Sequence, residues 1–201
     1  MKGLEAIVFL PLAALAAACF LKASIVLGLL ARALGGRAIP QLAIVAAALL
    51  LVGFVLAPVA ERSVAAAGGA VVRGEPSGVA PRAAEPVRAF LERQVPAEAR
   101  RELVELQQKY RGPDGGTVSD RDLVVLVPAF AVAELKAAFR VGFFLLLPFL
   151  VLDLLIAVVL LALGMHTIDA RTIALPCKLL LFVAVDGWAL VTRGLLGGYA
   201  G

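Results

Sequence analysis

Histidine is almost absent from this 201-residue chain, cysteine is nearly so, and charge is sparse: there is one His, there are two Cys, and Asp, Glu, Lys and Arg together make 17%. The lone His166 has no second imidazole to work with. Cys19 and Cys177 both lie in apolar runs without ligand spacing, so they read as small buried hydrophobes rather than a disulfide or a metal pair. No GxxxxGK(S/T), GxSxG, HExxH or CxxC pattern occurs, which removes phosphate-cradling loops, nucleophile elbows and the common metal sites. No nucleophile and base can be assembled, so no enzyme, metal or cofactor is expected. A net charge of +4 is also uninformative about nucleic acid, because the basic residues form no cluster.

What is there instead is apolar. Ala, Val, Ile, Leu, Met, Phe, Trp, Tyr and Cys make 62% of the chain, and mean hydropathy is +0.97. A soluble domain of this size leaves about a third of its unfolded-chain surface in water. Too few polar residues exist to cover it, so an all-α integral membrane protein is expected. From Ala38 to Ala60 no charge occurs, enough helix to cross about 30 Å of hydrocarbon. Similar runs predict four apolar helices, roughly 4–31, 41–60, 139–165 and 172–197. Short turns at Arg32–Pro40 and Gly164–Thr172 make them two antiparallel hairpins. Boundaries are expected at 1–60, 61–127 and 128–201.

Residues 61–140 hold 12 of the 19 Lys/Arg and 11 of the 15 Asp/Glu, well mixed, and read as a solvated segment between the hairpins. Within it, 65–86 is Ala/Gly/Pro-rich and reads as a linker, while Val87, Phe90, Leu91 and then Leu103, Leu106, Tyr110 have helical spacing divided by Pro96. Ser119 with Asp122 offers a helix start before Leu123. Arg32 and Arg37 in the first turn place the turns on the cytoplasmic side and send the middle segment outward. Met1–Lys2 followed by Ala16–Cys19 resembles a secretory signal, but Glu5 and the apolar run resuming after Lys22 favour a retained helix.

Lys22, Asp153, Lys178 and Asp186 lie inside apolar runs, where an unpaired charge is expensive. Lys178 and Asp186 are eight residues apart on one expected helix, on similar faces but too far along the axis to touch. Asp153 and Lys178 stand about equally far from the second turn. An ion pair within or between chains, snorkelling to the interface, and a proton or ion pathway are all open readings. Gly194 and Gly198 form a GxxxG that permits close helix packing.

Three longer runs carry a resemblance. Val127–Phe139, Gly142–Asp153 and Leu175–Trp188, with Phe20–Lys22, Ile25–Leu30, Arg32–Gly35, Pro40 and Ala57–Val59 before them, resemble the FliP/SctR (YscR) family of type III secretion export-apparatus proteins. The resemblance covers nearly the whole chain except about 65–117. It implies a non-enzymatic core subunit of the export gate in the bacterial inner membrane. Five copies are expected to wind together with SctS/FliQ-like and SctT/FliR-like partners and an SctU/FlhB-like subunit, around a channel for unfolded export substrates. It also implies that Glu134, Asp153 and Lys178 form ion pairs at subunit interfaces, and that hairpins are lifted partly out of the bilayer. Family members commonly carry consecutive methionines in the second turn as a deformable channel seal. Here only Met165 carries over, with His166 beside it, and an ordinary apolar turn residue is the competing reading. The flagellar branch of the same family, and a small membrane transporter with a charge relay, are the alternatives.

Overall fold

The computed structural model describes residues 2–36, 40–74, 78–112 and 116–199, with side chains from Leu10 onward. Arg37 and its neighbours in the first turn, 75–77 of the expected linker, 113–115 of the glycine-rich turn and the Glu5 side chain lie outside the described residues.

Every regular element among the described residues is helical: α1 (Lys2–Ala33), α2 (Gln41–Val72), α3 (Val79–Gln94), α4 (Ala97–Arg111), α5 (Leu123–Ala162), α6 (Ala170–Ala184) and α7 (Gly187–Leu196), closed by a 3-10 turn at Gly197–Tyr199. Among these, α1 over Leu10–Ala33, α2 and α5 are long and apolar enough to cross a membrane, and α6 with α7 makes a fourth candidate bent by 66°. At 1.5 Å per residue the 40-residue α5 is about 60 Å long, twice the hydrocarbon thickness of a bilayer.

Three expected boundaries are corrected. The second helix was expected to end near residue 60, with a linker over 65–86, but α2 runs on to Val72. Its end is rich in alanine, the best helix former, which carries the helix through two glycines. Much of the remaining stretch is α3, with Pro81 in its first turn, where no intrahelical N–H bond is needed. The start at Ser119–Asp122 and the apolar segment from 139 are one helix, because Glu134, Lys136 and Arg140 are charges and not breaks. The last segment, expected to be continuous over 172–197, is broken. Asp186 sits in the left-handed region at φ 50° and ψ 55°, the one non-glycine residue with positive φ among those described. Gly187 follows it beneath the Phe182 ring, where any Cβ would overlap. Asp-Gly is a turn dipeptide, and here it acts inside an apolar run. Lys178 and Asp186 therefore do not share a straight helix.

The chain forms two compact units, to both of which α1, α2 and α5 contribute. In the unit made of residues up to Leu21 and Leu50–Lys136, α3 buries Ala83, Val87 and Leu91 as one stripe at four-residue spacing. Phe90 meets Phe130 of α5 edge to face at 5.9 Å, beside buried Val125 and Leu126. A turn over Ser119–Asp122 leads into α5: the Ser119 N–H donates to the Asp122 carboxylate at 2.9 Å and the Ser119 hydroxyl accepts from the Arg121 N–H. The apolar stripe expected on α4 is not buried, and Tyr110 is 86% exposed.

In the other unit, made of Lys22–Leu49 and the residues from Ala137 onward, α1 buries Ala23, Val26, Leu30 and Ala33, and α6 buries Ala174, Lys178 and Phe182 every fourth residue. Gly194 lets α7 approach α5: a Cβ there would fall 2.7 Å from Val141 Cγ1. The GxxxG read in the sequence thus makes one close contact within the chain.

Candidate functional site

The second turn aligns the charges on either side of it. α5 ends in a Schellman cap: Gly164 at φ 72° donates to the Leu161 carbonyl, and the Met165 N–H reaches back to Leu160. Glycine takes this left-handed position without the steric cost a Cβ brings. The chain then crosses to α6, whose N-cap Asp169 accepts from the Arg171 N–H at 3.0 Å. Asp153 lies nine residues before the end of α5 and Lys178 eight residues after the start of α6, so the turn leaves them at matching depth.

Lys178 Nζ donates to Asp153 Oδ2 at 2.7 Å. The pair is unequal, since the lysine side chain is 9% exposed and the aspartate 42%. One turn deeper on the same helices the buried rings of Phe149 and Phe182 stand 6.5 Å apart, and Phe182 meets Trp188 edge to face at 5.3 Å. Charged and aromatic contacts are thus stacked as rungs between α5 and the α6–α7 pair. The lysine amine is tied into a short charge-assisted bond, while the aspartate side chain stays partly exposed.

Glu134 is also buried, at 7% exposure, on the stretch of α5 that belongs to the other unit. Met165 is 44% exposed, and His166 beside it is exposed too. Lys22 is buried at 3%, with its Nζ 4.3 Å from the centre of the Tyr199 ring. That cation–π contact was not read from the sequence, because 177 positions separate the two residues and only the fold brings them together. No group of three or more His, Cys, Asp or Glu able to hold a metal occurs among the described residues.

Outside the apolar helices, a long-range ion pair ties Arg121, in the turn before α5, to Glu92 of α3. The fork is bidentate, Nε to Oε1 at 2.9 Å and Nη2 to Oε2 at 3.2 Å. Its hydrogen bond holds the Glu92 carboxyl below its ordinary range and raises Arg121 further.

Large apolar side chains stay uncovered along whole helices. On α5 Phe144, Leu154 and Leu161 are 65–67% exposed, and on α2 Leu42, Leu50 and Phe54 are 72–79% exposed. Scattered exposed leucines are ordinary, but continuous apolar helix faces require lipid or partner protein.

Comparison with known proteins gives a consistent result. A model of the FliP family matches residues 4–195. The hypersensitivity response secretion protein HrcR of Ralstonia nicotianae is 37% identical over 203 residues, covering 96% of this chain and 93% of that protein. Yop proteins translocation protein R of Yersinia pestis is 36% identical, covering 98% and 94%. The flagellar biosynthetic protein FliP of Pectobacterium carotovorum is 39% identical, covering 96% of this chain and 74% of its own length.

Proposed function

The chain belongs to the FliP family, and from that membership we propose that it is a non-enzymatic core subunit of a type III secretion export gate in the bacterial inner membrane. The observation that carries this reading is the match along nearly the whole chain to proteins named for secretion, translocation and flagellar biosynthesis. The uncovered faces of α2 and α5 support it, since they offer far more apolar surface than one chain covers.

In this reading the apolar helices form two hairpins, 1–60 and 128–201, around an extracytoplasmic helical region at 61–127. Several copies, five by family resemblance, assemble with SctS/FliQ-like, SctT/FliR-like and SctU/FlhB-like subunits around a channel for unfolded export substrates. Protein interfaces then cover what lipid does not. Glu134, Asp153 and Lys178 serve as ion-pairing groups at those interfaces. The Lys178–Asp153 bond supports this for two of them, because the half-exposed carboxylate keeps an oxygen free for a second donor. Met165 serves as the channel seal. A turn position pinned by the α5 cap, with a flexible thioether partly exposed, suits a gasket that yields to varied substrates.

Deletion tests the reading. Without this chain, export of every substrate of its system is expected to stop, while ATP hydrolysis by the cytoplasmic components continues. Loss of a single substrate would contradict a common channel.

A further inference from the structure

Between the end of α2 and α3 runs a cleft of about 470 Å³ flanked by four exposed arginines, Arg62 and Arg73 from the α2 side and Arg82 and Arg93 of α3, over the small side chains of Ala66 and Ala89. Arg82 and Arg93 are eleven residues apart, three turns of helix, which puts them on one face about 16 Å apart along the axis. A Cβ at Gly69 would lie 3.4 Å from Arg73 Nη2, so the glycine leaves room for that guanidinium to fold back along α2. The carboxylate of the described lining, Glu85, already accepts from Arg88 Nη1 at 2.8 Å. Among the described residues no ion pair engages Arg62, Arg73 or Arg93.

α4 carries the complement. Glu98, Glu102 and Glu105 are exposed and stand at i, i+4 and i+7, one stripe about 10 Å long. Like charges at this spacing repel one another. Arg101 and Lys109 lie at the edge and end of the stripe, yet no ion pair among the described residues engages its three carboxylates. The helix also buries none of its own residues, and Leu106 and Tyr110 beside the stripe are exposed.

We propose that the carboxylate stripe of α4 docks into the arginine cleft of a second copy of this chain. Guanidinium forks match carboxylates bidentately, as Arg121 and Glu92 do within the chain. Leu106 and Tyr110 on one copy, and exposed Val71 and Val72 next to Arg73 on the other, add apolar contact alongside the charges. Both surfaces lie in one compact unit, between the apolar hairpins, so copies with a common orientation carry them on one side of the membrane. Because stripe and cleft are different surfaces, the contact is heterologous, and association continues from copy to copy instead of closing at two. Complementary charge fixes the register of such a contact.

The inference rests on the several-copy reading above and names the surfaces that meet. Its test is disulfide trapping of the full chain in bacterial membranes, with Cys19 and Cys177 replaced by Ala. On oxidation, R73C/E102C and R93C/E102C are each expected to give a ladder of dimer and higher cross-linked species, and R73C, R93C and E102C alone are expected to give none. Adding E98R/E105R to R73C/E102C is expected to lower the cross-linked fraction about tenfold or more, and adding R62E/R93E as well is expected to restore it. Several copies recovered together without a ladder in either pair, or a cross-linked fraction that E98R/E105R leaves unchanged or R62E/R93E does not restore, would overturn this interface alone. Recovery of the chain in single copy would overturn the several-copy reading and the interface together.

Discussion

Lys178 is the buried half of its ion pair and Asp153 the half that water reaches, and this asymmetry sets what each substitution costs. Asp153→Ala strands an ammonium at 9% exposure, whereas Lys178→Met leaves a carboxylate that solvent or a second donor can satisfy. Asp153→Ala is therefore expected to cost about 3 kcal/mol, the lower end for breaking a buried pair, and Lys178→Met less than about 1 kcal/mol. Thermal unfolding in detergent measures both, and equal losses would contradict the asymmetry. Met165 tests function rather than stability. As the proposed seal, Met165→Ala is expected to raise ion conductance with assembly and export retained, and Met165→Leu is expected to leak less because it keeps most of the volume. Unchanged conductance in Met165→Ala at normal protein level would place the residue outside the seal. The charged positions were legible in the sequence because a charge in an apolar run announces itself. The partners are less so: equal distance from the turn makes Asp153 one open reading for Lys178, and Tyr199 over Lys22 has no local signal.

Helices were legible as apolar runs, and their ends were not. Charge does not mark a boundary at Glu134–Arg140, where the chain stays helical, and Ala/Gly composition does not mark a linker where alanine extends α2. Conversely, the Asp186–Gly187 break hides inside an apolar run, because positive φ and a close ring contact leave no mark on hydropathy. Turn chemistry proved more reliable: Ser119 and Asp122 do fold back on each other ahead of α5. Within that turn, the Arg121–Glu92 fork ties the entry of α5 to α3. Because the fork lowers the Glu92 pKa, its stabilisation is fully present above the usual 4.5 and is lost as pH falls through the lowered value. Arg121→Ala is expected to lower Tm slightly at neutral pH, and the difference from the parent is expected to shrink as pH falls through the lowered Glu92 value. A difference in Tm that persists unchanged into acid would mean that Arg121 acts through packing instead.

At the scale of the molecule, an all-helical, predominantly apolar chain was legible from composition alone, since 62% hydrophobic residues and 17% charge leave no other solvent than lipid or protein. The division between those two solvents was not legible, because a lipid-facing leucine and a partner-facing leucine are the same residue in sequence. α5, about 60 Å of helix, is twice the hydrocarbon thickness of a bilayer, so lipid alone does not cover its whole length. The measurement that tests this most directly is the native mass of the complex captured through this chain from bacterial membranes. The export-gate account expects several copies of the chain in one particle with SctS/FliQ-like and SctT/FliR-like subunits. Recovery of the chain alone, or as a homodimer without those partners, would contradict it.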